Sequence, residues 1–403
     1  MILLEELEHI INEQNFFNKK EKIIEREICL RQDTDRVTVI SGVRRCGKST
    51  LLKLYLSDNQ NCLFINFEDT RLEYFDVSDF RKIEKIAKNL NKTIYIFDEI
   101  QNIYKWEKYI RSAHDNGNKI YITGSNASML SKELGTKLTG RYIQTELFPF
   151  TYREFLKFYK YEANSETYKK YLVKGGFPEY LKEENTEYLR TLLKDIVIRD
   201  IAVRRNIKNE HQLIRLAVFL MTNAGKELSY NKITKNLQIK SVRTTIDYCD
   251  YLQESYLFEF IPRFSFSLKQ QQINPKKVYA IDTGMAKANS LSLQDDNGRM
   301  LENAVYLQLR QYSNEISYFK DDKSECDFIV QINNKPVLAV QVCWVLNTDN
   351  MQRELNGLKN AMKTADIKKG LIITLNQKDE LEGIQVLPVW SEQFANNIKT
   401  NIL

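Results

Sequence analysis

Histidine is nearly absent from this 403-residue chain, with only 3 copies, so metal chemistry is left almost entirely to carboxylates. The 6 cysteines (Cys29, Cys46, Cys62, Cys249, Cys326 and Cys343) lie far apart, without a CxxC pair or finger-like Cys/His spacing. That scatter argues against a disulfide framework and for a reducing, cytoplasmic setting. No run of about 18 apolar residues occurs, so no segment reads as a membrane-spanning helix. The first residues, Met1-Ile-Leu-Leu-Glu-Glu-Leu-Glu, are acidic and amphipathic, which is wrong for a secretory signal. A dominant charge is missing as well. The 59 basic and 53 acidic residues leave a net charge of +6, which permits a nucleic-acid partner without demanding one.

What remains is an ordinary globular composition, 43% hydrophobic and 28% charged, in a chain long enough for two to four domains. Residues 1–35 read as a helical segment, with Leu4, Leu7, Ile10 and Ile11 on one face and the charges of Glu25-Arg26-Glu27 behind them. Across 36–150, apolar strands at Val37–Ser41, Cys62–Phe67, Thr93–Phe97 and Lys119–Thr123 alternate with helical stretches. That alternation predicts a parallel sheet covered on both faces. Residues 151–210 are helical and aromatic-rich, broken at Gly175-Gly176-Phe177-Pro178, and read as a helical lid. In 211–265, two helical patterns and Leu257–Pro262 suggest a winged-helix-like module, with Lys240 and Arg243 placed for phosphate contacts. Residues 266–403 return to an α/β pattern, with strands at Ile316–Phe319, Cys326–Gln331, Val337–Val342 and Gly370–Thr374.

Chemistry concentrates first at Gly42-Val43-Arg44-Arg45-Cys46-Gly47-Lys48-Ser49, between an apolar strand and the helical Thr50-Leu-Leu-Lys-Leu. Glycines at both ends let the loop turn so that its N–H groups converge on phosphate oxygens, and the helix N-terminus adds its dipole. In such a loop Lys48 reaches the β- and γ-phosphates of ATP, and Ser49 ligates Mg²⁺. About 50 residues on, Thr93-Ile-Tyr-Ile-Phe ends in Asp98-Glu99, a placement that gives Asp98 to Mg²⁺ and Glu99 to the attacking water. The strand after that ends in Thr123, Ser125 and Asn126, candidates for sensing the γ-phosphate, with Asn126 favoured. Arg141, just beyond, is a candidate for neutralising transition-state charge in cis or in a neighbouring subunit.

Gly42–Leu52, Asn66-Phe-Glu-Asp, Ile96–Gln101 and Thr123-Gly-Ser-Asn together resemble the motifs of archaeal and bacterial AAA+-like ATPases that carry an appended domain of unknown function. The likeness continues through Arg141, Gly175–Pro178, Asp195–Asp200 and Gly298–Asn303, nearly the whole chain. It implies an ATPase module, Gln101 contacting the loop after the Asp-Glu strand, and a C-terminal restriction-endonuclease-like α/β domain. Such nucleases hold metal on a helix carboxylate, a strand Asp and a Glu-x-Lys. Here Glu302, Asp327 and Gln341 occupy those places, but Cys343 stands where the lysine belongs. A thiol does not replace an ammonium, so a degenerate scaffold is expected over an active nuclease. Arg353-Glu354 is expected on a solvated helix face.

The reading is therefore an ATP- and Mg²⁺-dependent ATPase that drives or gates a conformational change felt by double-stranded DNA or a protein partner. No membrane is involved, and an oligomer is admissible. The alternatives are an ATP-gated DNA nuclease and a non-catalytic nucleotide-dependent switch.

Overall fold

The computed structural model describes residues 2–16, 23–28, 34–125, 138, 140–292 and 296–402. Two compact units emerge, residues 1–149 with 254–256, and residues 150–253 with 257–403. Each is taken by itself.

In the first unit, five strands, β1 (Val37–Ser41), β2 (Cys62–Asn66), β3 (Ile94–Asp98), β4 (Lys119–Gly124) and β5 (Tyr142–Glu146), form one sheet in the order β2-β3-β4-β1-β5. All pairings are parallel. Every residue of β1 is buried, as a strand covered on both faces requires. The sheet packs on helices such as Phe80–Asn89 and Trp106–Asp115, and Phe80 stacks on Tyr109 with ring centroids 3.9 Å apart. The edge strand β5 has no counterpart in the sequence reading, because its residues are only half-buried and lack an apolar run.

The helix at the N-terminus, Leu4–Asn15, buries Leu7, Ile10 and Ile11 as the spacing predicts. Helix does not extend through 23–28, and within the charged segment Arg26 is buried. Its guanidinium donates to Cys46 O at 2.9 Å and to Phe148 O at 2.6 Å. Two backbone carbonyls that need donors thus draw a charge out of solvent.

The second unit opens with helices Tyr152–Tyr159, Ser165–Lys174, Pro178–Glu183 and Thr186–Asp195, then a π-helical stretch, Ile196–Val203. Gly176 N and Met285 N both donate to the buried Asp282 carboxylate, at 2.6 and 2.7 Å. A Cβ on Gly175 would lie 2.2 Å from Asp282 Oδ1, and its φ is +69°, so the Gly-Gly-Phe-Pro turn is built around that acid. Burial raises Asp282 to about 6 against the backbone donors that lower it.

Helices Glu210–Thr222, Tyr230–Leu237 and Val242–Glu254 follow, with β6 (Glu227–Leu228), β7 (Phe258–Pro262) and β8 (Lys276–Ala280) in the antiparallel order β6-β8-β7. The central strand of this small sheet lies beyond residue 265. The last layer contains β9 (Glu315–Lys320), β10 (Glu325–Ile332), β11 (Lys335–Val342), β12 (Gly370–Thr374), β13 (Asp379–Leu381) and β14 (Ile384–Pro388), ordered β13-β14-β12-β11-β10-β9. Helix Met351–Ala365 packs on its core through Leu355, Leu358 and Ala361, and helix Asn297–Arg310 belongs to the same unit.

Candidate nucleotide site and a second lysine–carboxylate cluster

The loop from Gly42 to Gly47 leaves the carboxyl end of β1. Gly42 has φ +148° and a Cβ there would stand 2.1 Å from Leu147 O, so glycine is the residue that fits. Arg45 (φ 66°) and Gly47 (φ 104°) both lie in the left-handed region. Helix Lys48–Asp58 starts without a side-chain cap, so its first N–H groups remain directed at the loop. Lys48, 4% exposed, donates to Gly42 O at 3.0 Å and Val43 O at 3.2 Å, and stands 3.7 Å from Glu99 Oε1. Val43 and Cys46 are buried in the loop's base, and burial pushes the Cys46 thiol up. Arg44 is half-buried, its Nη2 donating to Glu68 Oε1 at 2.6 Å, while Arg45 and Thr50 are exposed.

β4 lies between β1 and β3, and its Thr123 ties the acids in place. The Thr123 hydroxyl donates to Asp98 Oδ1 at 2.5 Å and accepts from Glu99 N at 2.8 Å. Asp98 is fully buried; its pKa is raised to about 6, by burial first and by Glu99 next, against Ser49, Thr123 and Lys48. Its Oδ2 is buried without a hydrogen-bond partner. Glu99 sits at φ 51°, and its Oε2 accepts from Gln101 Nε2 at 2.5 Å. Gln101 therefore contacts the acid itself, not the following loop. Ser125 Oγ and Gln101 Oε1 are also buried without partners. A buried carboxylate oxygen beside the Ser49 hydroxyl, below an uncapped helix end, fits a nucleotide-bound Mg²⁺.

Asn126 lies outside the described residues. Arg141 is placed elsewhere than expected. Its carbonyl accepts from Val37 N and its Nε lies 3.2 Å from Asp115 Oδ1, at the end of β1 opposite the phosphate loop. Parallel pairing of Val37 with Tyr142 forces this, since the residue before β5 must then stand at the start of β1. Arg141 therefore does not face this chain's own loop.

Glu302, Asp327 and Gln341 do come together in the second unit, around a lysine the sequence reading missed. Lys277 of β8, 3% exposed, reaches Glu302 Oε1 at 3.0 Å, Glu325 Oε1 at 2.8 Å and Asp327 Oδ1 at 2.9 Å. Tyr279 OH donates to Glu302 Oε1 at 2.6 Å, Val342 N to Asp327 Oδ2 at 3.0 Å and Asp327 N to Gln341 Oε1 at 3.3 Å. Burial disfavours the Lys277 charge, but Asp327 and Glu302 outweigh it and hold the ammonium well above its usual range. Burial and Asp327 raise Glu302 to about 7 against Lys277 and Tyr279.

Cys343 is buried, its thiol pushed up to about 12 by burial first. Of Arg353-Glu354 only the arginine is on the solvated helix face, its side chain 77% exposed. Glu354 is 7% exposed and accepts from Gln341 Nε2 at 2.6 Å and Arg353 Nη2 at 2.5 Å. The cluster borders a cleft of about 780 Å³ lined by Glu302, Lys320, Glu325, Asp327, Gln341 and Arg353 among others. Among the described residues, no group of three His, Cys, Asp or Glu side chains is arranged to hold a metal. The only signal pointing to Lys277 was Lys-Lys at the head of an apolar strand, which reads equally as a solvated strand end.

Comparison with known proteins matches three family models: an AAA domain over residues 34–156, a domain of unknown function (DUF8612) over 165–296 and another (DUF4143) over 297–391. An uncharacterized protein of Methanocaldococcus jannaschii is 34% identical, covering 95% of this chain and 94% of its own. An uncharacterized protein of Haemophilus influenzae is 31% identical over 91% of this chain and 98% of its own. Among solved structures, one described as the basis for katanin self-assembly covers 54% of this chain and 71% of its own at 15% identity and a TM-score of 0.22. One of C. elegans PCH-2 covers 62% and 66% at 13% identity and the same TM-score, 0.22. Superpositions that loose carry no inference. No described helix is long and apolar enough to cross a membrane. With its glycine-framed loop, its Asp-Glu strand and relatives matched end to end, the chain belongs to the family that joins an AAA domain to these two domains of unknown function.

Proposed function

We propose that the chain hydrolyses ATP with Mg²⁺ and uses the cycle to change the state of its second unit for a partner. One observation carries the reading. Lys48, Asp98, Glu99 and Thr123 converge at the open N-terminus of one helix, with Asp98 Oδ2 buried and unpartnered. Ser49 and Asp98 would hold Mg²⁺, which supplies charge neutralisation for the phosphates. The Lys48 ammonium exchanges its two loop carbonyls for phosphate oxygens, and the N–H groups of residues 42–48 orient the chain of phosphates. Glu99 takes the proton of the attacking water, its carboxylate held by Gln101.

DNA as the partner rests on reading the helices Glu210–Thr222, Tyr230–Leu237 and Val242–Glu254 with the sheet β6-β8-β7 as a winged-helix-like module, whose exposed Arg243 pairs with Asp247 at 3.0 Å. Five described cysteines are buried free thiols, in keeping with a reducing cytoplasm. The deciding measurement is ATP turnover by the full chain, with and without duplex DNA and beside Lys48→Ala. Turnover unchanged in that variant sinks the reading. Slow turnover with ATP-dependent binding of a protein, and no DNA response at low salt, would favour the switch instead.

A second reading, metal-dependent DNA cleavage in the C-terminal cleft, rests on Lys277. It brings to Asp327 an ammonium that β11 lacks. Its test is labelled duplex incubated with Mg²⁺ or Mn²⁺. Cleavage lost in Asp327→Ala supports it, and no cleavage in either metal removes it.

A further inference from the structure

The place of Arg141 leaves the nucleotide site without its expected arginine, and Arg44 stands in the phosphate loop itself. Its partner Glu68 is two residues past Asn66, the last residue of β2. Glu68 N donates to Asn66 Oδ1 at 2.9 Å, and Asn66 pairs in register with Asp98. In the sheet, β4 and β3 lie between β1 and β2. An ion pair joining the loop after β1 to the loop after β2 therefore passes over the ends of the two strands that carry Thr123, Asp98 and Glu99. With strands about 4.8 Å apart, that crossing spans roughly three strand spacings. The long Arg44 side chain and the advance of both loops close it.

We propose that Arg44 and Glu68 form a strap across the nucleotide site, and that Arg44 leaves Glu68 for the terminal phosphate when a nucleoside triphosphate binds. The inference rests on the ATP reading above and adds to it a device that tells triphosphate from diphosphate. The Glu68 side chain is 41% exposed and that of Arg44 17%, so the pair sits at a wet rim where a single ion pair is weak. A guanidinium fork matches phosphate oxygens as well as it matches a carboxylate, and a γ-phosphate brings more charge than Glu68 does. Lys48, the loop's other described lysine or arginine besides Arg45, is buried against loop carbonyls and Glu99. It serves the phosphates whichever nucleotide is bound, whereas Arg44 starts from a carboxylate that a third phosphate displaces.

The test compares dissociation constants of the full chain for Mg²⁺–ADP and for a non-hydrolysable Mg²⁺–ATP analogue. Arg44→Ala is expected to weaken the analogue on the order of ten- to a hundredfold and ADP by less than about twofold. Arg44→Lys should fall between, because the charge is kept and the fork lost. Glu68→Gln, on a side chain 41% exposed, should tighten the analogue several-fold and leave ADP unchanged. Equal losses for both nucleotides in Arg44→Ala, no loss for either, or no change in Glu68→Gln overturns the strap. A wild-type chain that binds neither nucleotide, with Lys48→Ala no different, overturns the ATP reading and the strap with it.

Discussion

Two buried lysines, each among carboxylates, do opposite things in this molecule. Lys48 is held by two neutral backbone carbonyls and stands 3.7 Å from Glu99. Lys277 is gripped at 2.8 to 3.0 Å by the carboxylates of Glu325, Asp327 and Glu302. The first is the cation proposed above for the phosphates. The second neutralises its own surroundings and ties β8 to β10 and to helix Asn297–Arg310. A lysine near acids is therefore not a functional mark in itself, and what matters is whether its present partners are cheaper to leave than its future ones.

The sharpest way to break the comparison is to remove each chemistry in turn. Glu99→Gln should cut ATP turnover by roughly 10²- to 10⁴-fold without altering the melting temperature, since it removes a proton acceptor and keeps the shape. Lys48→Ala should lower turnover on the order of 10²- to 10³-fold with little loss of stability. Lys277→Met should do the reverse. Glu302 and Asp327 left without their cation, with Glu325 keeping only Lys320 at 3.6 Å, predict a loss of about 3 to 5 kcal/mol in denaturant unfolding of the second unit, with nucleotide binding preserved. If Lys277→Met is instead as stable as wild type, the cluster holds another cation and the contrast collapses.

Acid titration gives a finer test. Asp98 has a folded pKa of about 6 against an ordinary 3.8. As pH falls through 6 the folded protein takes up this proton while the unfolded chain stays ionised, so the contribution to stability rises toward acid. The protonated acid no longer ligates a cation, so Mg²⁺–nucleotide affinity should fall over the same range. Stability and binding moving the same way there would count against Asp98 as the ligand. The smallest effect is expected of Thr123→Val. It leaves Glu99 N and Asp98 Oδ1 without their shared hydroxyl, costing about 1 to 3 kcal/mol, and Thr123→Ser should recover most of it.

The first unit was legible because its chemistry is local. A phosphate loop needs its glycines, lysine and helix start within eight residues, and the pair Asp98-Glu99 must close an apolar strand, so each leaves a contiguous trace. The β1–β4 strands read for the same reason, as runs of buried residues. That Arg141 stands away from its own chain's loop was not legible, because sequence shows that it follows β4 without showing at which end of the sheet the chain re-enters. The burial of Arg26 was not legible, because the two carbonyls that claim it lie 20 and 122 residues away. Glu354 was misjudged for the same cause, its partner being Gln341 on a neighbouring strand.

By itself the sequence determined a phosphate-binding loop, an acid pair one βαβ unit later, and a C-terminal α/β domain carrying Glu302, Asp327 and Gln341 without a lysine on their strand. Only the tertiary structure decided that Lys277 stands among those acids, that Arg141 stands at the far end of the sheet, and that Arg44 bridges to Glu68. Hydrogen bonds and glycine turns act over a few residues and leave a pattern in order along the chain. A buried charge is settled by whichever opposite charges the fold brings within about 3 Å, and strand order, not sequence order, chooses them.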